Sequence, residues 1–364
     1  MKVLIAANYD VGLYQFRKEL IEALLKDHQV MISLPYGTLV DPLQAAGCTF
    51  IDTRVDRRGL NPVKDMTLFR QYHKMLKKNR PDLVVTYTIK PNVYGGMVCR
   101  MKKIPYAANI TGLGTAFQNE GMLRRFVTRL YRSALKKAGV VFFENAANRQ
   151  LFIDLKIVPE DRAVLLNGAG VNLEHYSLTP YPKDGPVRFL FVGRVMQEKG
   201  IDELFSAMER LRDEGAECTL EVLGGYEEDY ADTIRRYEEK GWLRYHGYQL
   251  DVRPYIENAH CFVLPSYHEG MANTNLECAA MGRPVITSDI PGCREAVVDG
   301  KSGLLCRPKD AGSLYEAMRR FLEMTPDQRE AMGRAGRQRM ETVFDKRLVV
   351  AETVKHLERN GSRK

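Results

Sequence analysis

Apolar and polar residues form two alternating kinds of pattern along the chain. Short apolar runs, typical of parallel strands covered on both faces, are separated by stretches with apolar residues at helical spacing. The first half predicts strands at Val3–Ala7, Val30–Leu34, Thr49–Asp52, Leu83–Tyr87, Tyr106–Ile110, Val140–Glu144 and Ala163–Leu166. The second half predicts strands at Phe189–Val192, Cys218–Leu223, Arg244–His246, Cys261–Pro265, Pro284–Thr287 and Gly303–Cys306. This βαβα order predicts an α/β fold of two doubly wound, Rossmann-like domains.

One segment interrupts this order. Residues 177–186 contain three prolines and one glycine without periodicity, which is typical of an interdomain linker. We therefore expect a first domain over residues 1–176 and a second over 187–344. A final helix over 345–364 is expected to pack back on the first domain.

Composition narrows the class of protein. The 364 residues, 45% hydrophobic and 27% charged, can support sizeable cores and argue against disorder. No apolar run approaches the roughly 18 residues that span a bilayer, and the first apolar run is too short for a signal peptide. The seven cysteines contain no C-x-x-C pair, which favours reduced thiols in the cytoplasm over disulfides or a zinc site.

Charge is unevenly distributed. Residues 1–180 carry a net charge of +11 and the remainder −3, giving +8 in total. The first half is therefore expected to meet an anionic partner, and nucleic acid and anionic lipid both fit this asymmetry.

The most informative segment runs from residue 266 to 284. It places Glu269 directly after an apolar strand and Glu277 on the helix that follows, with Asn273 or Thr274 as the expected N-cap. Free amides of residues 270–274 would suit a phosphate, and the two carboxylates would suit the hydroxyls of a ribose and a sugar. The alternative is a solvated loop acid and an exposed helix acid.

A second segment follows the strand that ends near Val192. Gly193 and Arg194 come first, and Lys199 lies at the start of the next helix. Two cations at a strand's carboxyl end can neutralise a pyrophosphate, although a surface pair is the simpler alternative. Glycines at the ends of the next two strands, with His246 beside the second, would allow close approach of a ligand or would simply form turns. These glycines are Gly224 and Gly247.

In the first domain the evidence is weaker. The loop containing Gly12 lacks G-x-G-x-x-G, which argues against a dinucleotide site. Gly12 and the glycines of the strand end at Gly112 and Gly114 would let the backbone approach a ligand. Lys90 would face either the ligand cleft or solvent.

Residues 122–137 form a predicted amphipathic helix with six cations and no acid. The cations are Arg124, Arg125, Arg129, Arg132, Lys136 and Lys137, and the apolar stripe is Leu123, Phe126, Val127, Leu130, Ala134 and Leu135. Such a helix can lie on an anionic membrane. The alternative is a core helix with a solvated basic face.

Over nearly its whole length the chain resembles the retaining glycosyltransferases of family 4, which have the GT-B fold. The resemblance rests on two glutamates separated by seven residues, Glu269 and Glu277, and on a G-R-x4-K-G element at Gly193–Gly200. It implies a cleft between the two domains and a UDP-sugar donor as co-substrate, with no metal and no other cofactor. By resemblance, Arg194 and Lys199 bind the donor diphosphate.

The same resemblance assigns the other donor contacts. Glu277 would bind the ribose hydroxyls and Glu269 the donor sugar, while backbone amides of the intervening loop would bind phosphate and sugar. These loop residues are Gly270, Met271, Ala272 and Asn273. The chain departs from the family at Thr88–Lys90, which lacks a histidine, and by inserting Ala169 and Gly170 before Val171.

Within the family the chain looks most like hexosyl and N-acetylhexosaminyl transferases of capsular, exopolysaccharide or protein-glycan assembly. That likeness implies a polyprenyl-diphosphate-linked glycan as acceptor and a peripheral position on the inner face of the plasma membrane. A UDP-sugar 2-epimerase of the same fold and a non-catalytic nucleotide-binding protein are the alternatives. Nucleic acid is not an expected partner, because no recognisable binding module is present.

Overall fold

The computed structural model describes residues 1–56, 61–114, 117 and 121–361. They form two compact units. Unit 1 comprises Met1–Ala169 with the C-terminal segment from Arg347, and unit 2 comprises Gly170–Lys346.

Unit 1 is built on a parallel sheet of seven strands in the order β3-β2-β1-β4-β5-β6-β7. The strands are β1 Lys2–Ala6, β2 Gln29–Leu34, β3 Thr49–Asp52, β4 Leu83–Tyr87, β5 Tyr106–Ile110, β6 Val140–Phe143 and β7 Ala163–Leu165. The helices are α1 Asp10–Leu25, α2 Val40–Ala45, α3 Pro62–Asn79, α4 Gly96–Lys102, α5 Met122–Leu135 and α6 Ala146–Asp154. Unit 1 also contains a π-helix at Pro91–Gly95 and a 3-10 turn at Glu160–Arg162.

Unit 2 repeats this design with six parallel strands in the order β10-β9-β8-β11-β12-β13. The strands are β8 Val187–Val192, β9 Cys218–Leu223, β10 Leu243–Tyr245, β11 Cys261–Leu264, β12 Val285–Ser288 and β13 Gly303–Cys306. The helices are α7 Ile201–Asp213, α8 Ala231–Glu239, α9 Arg253–Asn258, α10 Asn273–Ala280, α11 Ala311–Glu323 and α12 Pro326–Arg339. Shorter turns lie at Gln197–Lys199, Arg294–Ala296 and Met340–Phe344.

Burial explains why the strands read as continuous apolar runs. In β1, Leu4 belongs to the core on one face of the sheet, while Val3 and Ile5 belong to the core on the other. Because helices cover both faces, neither alternate position is left to solvent. The thirteen predicted strands are all present, with ends shifted by at most two residues, and the prediction of two doubly wound α/β units is confirmed.

The unit boundaries differ from the predicted ones. Residues 170–186 belong to unit 2, because Val171 exchanges backbone hydrogen bonds with the segment entering the final helix. Further along, Tyr181 donates to the carbonyl of His260 at 3.0 Å. The proline-rich segment is therefore a packed part of unit 2.

The final helix, α13 (Lys346–Gly361), contributes from Arg347 onward to unit 1. Its Asn360 side chain donates to the carbonyl of Tyr106 at 3.0 Å, so the end of the helix is fixed against β5. The predicted helix extends to residue 364, and its last three residues lie outside the described range.

Candidate functional site

The strand order of unit 2 creates a ligand-binding position between two neighbouring strands. The chain runs outward from β8 through β9 to β10, then returns to β11 on the other side of β8. The loops after β8 and β11 therefore diverge, and ligands of open α/β sheets bind in the crevice at such a switch point. Gly193 and Arg194 follow β8, and Ser266 to Gly270 follow β11.

Lys199 and Glu269 meet at this position. The Lys199 ammonium donates to the Glu269 carboxylate, and the Ser266 hydroxyl donates to the same oxygen at 2.9 Å. The two charged side chains are only 17% and 13% exposed. The sequence placed these residues 70 positions apart, and the structure brings them into one ion pair at the edge of the sheet.

Gly200 makes this contact sterically possible. Its φ is +72°, and a Cβ there would lie 2.1 Å from the carbonyl oxygen of Pro265. A side chain would push the start of α7 away from the end of β11. The glycine after Lys199 thus keeps the ammonium within reach of Glu269.

Arg194 occupies a more open position. Its side chain is 53% exposed, and its guanidinium lies 3.5 Å from the Glu227 carboxylate. Since a long exposed side chain reorients easily, this cation can turn toward an anion at the same edge of the sheet.

The loop between the two glutamates differs in part from expectation. The N-cap of α10 is Ala272, which makes no side-chain cap bond, so the prediction of Asn273 or Thr274 as N-cap is wrong. The Ala272 amide donates to the carbonyl of Gly292 at 2.7 Å and is not available to a ligand. The side chains of Met271 and Ala272 are buried in the core of unit 2.

The first turn of α10 nevertheless presents unused polar groups. The Asn273 side-chain oxygen is buried and has no hydrogen-bond partner among the described residues. Asn273 and Thr274 are also the first residues of the helix. Their backbone N–H groups therefore lie at the positive end of the helix dipole. Phosphate or hydroxyl groups of a ligand would satisfy these donors and this acceptor.

Glu277 lies one turn further along α10 and is partly buried. Burial raises the pKa of its carboxyl to about 7, while a hydrogen bond from Tyr176 and the nearby Lys346 ammonium act to lower the pKa. The segment carrying Tyr176 is held by Arg337, which donates to the carbonyls of Tyr176 and Ala280. Sequence reasoning missed Tyr176 and Lys346, because neither stands near Glu277 in the chain.

Three glycines lie next to one another where β8, β9 and β10 end, namely Gly193, Gly224 and Gly247. Gly224 has φ +140°, and a Cβ there would lie 1.8 Å from the carbonyl oxygen of Gly193. Its amide donates to the carbonyl of Gly247 at 2.8 Å. His246 is tied through its ring to the Glu221 carboxylate of the adjacent strand, a partner that sequence reasoning did not name. These contacts hold the carboxyl ends of the three strands close together.

The unit 1 residues proposed for ligand binding lie at several places. Gly12 is in the first turn of α1, where a Cβ would meet the Tyr9 ring at 2.6 Å. A Cβ at Gly112 would meet no atom of the described residues within 4 Å, whereas a Cβ at Gly114 would meet Ile89 at 2.9 Å. The Lys90 side chain is largely buried and belongs to an ion pair.

Lys90 forms a buried ion pair. Its ammonium lies 2.9 Å from the Asp65 carboxylate, and the two side chains are 12% and 8% exposed. The neutralised pair is therefore part of the packing between α3 and the turn after β4.

A buried polar cluster at the carboxyl ends of β4 and β6 was not predicted. Arg17 donates to the Glu144 carboxylate at 2.5 Å, and its guanidinium lies 4.9 Å from the centre of the Tyr87 ring. Burial raises the pKa of the Glu144 carboxyl, and the adjacent Arg17 opposes that effect. The sequence feature that could have revealed this cluster is the acidic residue Glu144 at the end of an apolar strand.

The apolar residues of helix α5 lie on both its buried and its exposed faces. Val127, Tyr131 and Leu135 form its buried face, whereas Leu123 and Phe126 are about half exposed. The predicted apolar stripe is thus divided between core and surface.

The cations of this helix are not equivalent. Arg132 donates to the carbonyls of Leu155 at 2.7 Å and Lys156 at 3.3 Å, so it caps α6. Arg125, Arg129, Lys136 and Lys137 are exposed. Arg124 is partly buried.

Within the described residues, no cluster of three or more His, Cys, Asp or Glu side chains is arranged to hold a metal ion. In the same part of the chain, no helix is both long and apolar enough to cross a bilayer.

The two doubly wound units and the polar switch point of unit 2 are those of a GT-B glycosyltransferase. Two family models match different parts of the chain: "Glycosyl transferase 4-like" over residues 2–145 and "Glycosyl transferases group 1" over residues 186–324. Each unit matches one of these two glycosyltransferase models, and the chain is a glycosyltransferase.

Curated relatives agree with this assignment. The chain is 26% identical over 342 residues to N,N'-diacetylbacillosaminyl-diphospho-undecaprenol alpha-1,3-N-acetylgalactosaminyltransferase of Campylobacter jejuni, covering 89% of this chain and 90% of the relative. It is 24% identical to the capsular polysaccharide biosynthesis glycosyltransferase CapM of Staphylococcus aureus, covering 79% and 81%.

Solved structures share the fold. Anabaena HepE in complex with UDP and glucose superimposes with a TM-score of 0.81 at 16% identity, covering 99% of this chain and all of that one. A glycosyltransferase from Rickettsia africae gives the same TM-score at 18% identity, covering 100% and 99%.

Proposed function

We propose that this glycosyltransferase moves a hexose or N-acetylhexosamine from a UDP-sugar to a polyprenyl-diphosphate-linked glycan, with retention of configuration at the anomeric carbon. The pathway would be surface polysaccharide or glycan assembly. The observation that carries the proposal is the Lys199–Glu269 pair at the switch point of unit 2, with Glu277 one turn into the adjoining helix.

Each of these groups has a chemical task in the proposal. The diphosphate gains negative charge as the glycosidic bond breaks, and Lys199, Arg194 and the amides at the start of α10 stabilise that charge. The leaving phosphate oxygen accepts the proton of the acceptor hydroxyl on the same face of the sugar. Glu269 contacts the donor sugar, and Glu277 accepts hydrogen bonds from the ribose.

The glycine-rich edge supports a nucleotide at the same place. Gly193, Gly224 and Gly247 leave the ends of three adjacent strands without side chains, so a flat group can lie against the backbone. HepE, which shares the fold, has been solved with UDP and with UDP-glucose. UDP is accordingly the proposed nucleotide.

The acceptor proposal rests on two separate observations. The Campylobacter relative is named for an undecaprenol-linked diphosphate acceptor. Helix α5 combines exposed Arg125 and Arg129 with half-exposed Leu123 and Phe126, which suits an anionic bilayer. We therefore place the enzyme peripherally on the inner face of the plasma membrane.

Transfer should need no metal and no cofactor beyond the donor. In this proposal Lys199 and Arg194 neutralise the diphosphate in place of a metal, and the sequence has no D-x-D motif. EDTA should leave the rate unchanged, and a rate restored only by a divalent cation after EDTA treatment would contradict this assignment.

To test the function, the enzyme is incubated with UDP-hexoses and a short-chain prenyl-diphosphate glycan. The mass of the acceptor is then measured by mass spectrometry. One donor should add one sugar, and the NMR coupling of the new anomeric proton should show the α-configuration of the donor. Epimerisation of a UDP-sugar without acceptor would instead identify a 2-epimerase.

A further inference from the structure

Unit 1 carries an apolar groove whose lining includes none of the residues that the proposed chemistry uses. It has a volume of about 330 Å³ and lies where α3, the π-helix, α4 and α5 meet. Its lining residues are Pro62, Asp65, Met66, Phe69, Tyr94, Met97 and Phe126. Among the described lining residues, Asp65 alone is charged, and Lys90 neutralises it at 2.9 Å.

The groove is continuous with exposed apolar side chains. Met66 and Phe126 are each 51% exposed, and Met122, one turn before Phe126 on α5, is 87% exposed. Apolar surface left in water is less favourable than the same surface buried against an apolar partner. A cluster of this kind on one surface marks a binding site for an apolar partner.

The surroundings define the chemistry of that partner. Exposed Arg125 and Arg129 flank Phe126 on α5, and residues 122–137 include no acid. The groove wall contains methionines and aromatic rings, which adapt to irregular, branched hydrocarbon. A ligand with a branched hydrocarbon chain and an anionic head matches both features.

We propose that this groove, formed by Met66, Phe69, Met97 and Phe126, binds the isoprenoid chain nearest the diphosphate of the lipid-linked acceptor. The inference rests on the proposed function, because the acceptor class comes from there. The groove holds the first isoprene units, and the exposed arginines of α5 contact the adjoining diphosphate.

The test measures binding rather than turnover, so it does not depend on catalysis. Farnesyl diphosphate, below its micelle concentration, and inorganic diphosphate are titrated calorimetrically into the wild type, Met66→Gln, Phe126→Ser and the control Leu348→Gln. Leu348 is similarly exposed, at 54%, but lies on α13 outside the groove.

Farnesyl diphosphate should bind the wild type and Leu348→Gln at least tenfold more tightly than inorganic diphosphate does. Both groove variants should lose about tenfold in affinity for farnesyl diphosphate while keeping wild-type melting temperatures. Equal affinities for the two ligands would overturn the inference.

A second readout separates the groove from a bilayer contact. If Phe126→Ser weakens sedimentation with vesicles containing anionic lipid but leaves farnesyl diphosphate binding intact, the surface is a membrane anchor and the groove assignment is wrong. Failure of sugar transfer with every donor would refute the proposed function without altering these binding results.

Discussion

Replacing Lys199 by methionine separates the structural role of its ion pair from the proposed chemical one. The substitution removes a cation that the proposed mechanism places on the leaving diphosphate. Loss of one preorganised donor of this kind typically costs about 10²–10³ in kcat. The same change strands the Glu269 carboxylate, which keeps the hydrogen bond from the Ser266 hydroxyl at 2.9 Å but loses its cation.

The stability cost follows from burial. Breaking a fully buried pair costs about 3–5 kcal/mol, and the residual exposure of 17% and 13% reduces this to about 2 kcal/mol. The double variant K199M/E269Q removes the stranded charge, so it should recover most of that stability. It should not recover activity.

The assay combines denaturant unfolding with steady-state UDP release in the presence of acceptor. Lys183→Met serves as the control, since Lys183 forms a half-exposed ion pair with Asp327 in the same unit. A Lys199→Met enzyme with kcat within tenfold of wild type would refute the role of Lys199 at the diphosphate. A double variant no more stable than Lys199→Met would refute the ion-pair argument.

Three further predictions follow from particular contacts. Gly224→Ala should lose about 1–3 kcal/mol of unfolding free energy from its φ of +140° alone. Gly225→Ala should change little, because its Cβ would meet no atom of the described residues within 4 Å, and equal melting curves for the two variants would contradict this. Donor affinity, measured by titration with UDP, should fall as pH drops below about 7 and Glu277 gains a proton; Tyr176→Phe should move that midpoint to higher pH, because it removes a hydrogen bond that lowers the pKa. Arg283→Met should cost at least about 3 kcal/mol of unfolding free energy, measured with denaturant. The fully buried guanidinium donates to several carbonyls, including that of Pro180 at 2.8 Å in the proline-rich segment. A loss under about 1 kcal/mol would show that relaxation or water replaces those hydrogen bonds.

The sequence predicted the positions of strands more successfully than the tertiary contacts between side chains. Strand positions followed from apolar runs, and the adjacency of the loops after β8 and β11 follows once the sheet is doubly wound. The partners of Glu277 did not follow, because Tyr176 lies in a turn outside every predicted strand and its position depends on tertiary packing. Likewise, no local pattern could reveal that the Ala272 amide is used by Gly292.

Helical periodicity has a similar limit. It identified an apolar stripe on α5 but could not decide which of its residues face the core. Only the packing of α5 against its neighbours shows that Val127 is buried and Phe126 is half exposed. That division is what turns a basic helix into a candidate contact for lipid.

Acceptor-dependent release of UDP tests the central claim most directly. The wild type, Lys199→Met and Glu269→Gln are incubated with a panel of UDP-hexoses in detergent, with and without a prenyl-diphosphate glycan, and free UDP is measured. We predict that the wild type releases UDP from one donor only when the lipid-linked acceptor is present, and that both variants are at least about a hundredfold slower. UDP-sugar consumption that ignores the acceptor, or no consumption of any donor by the wild type, would contradict the account.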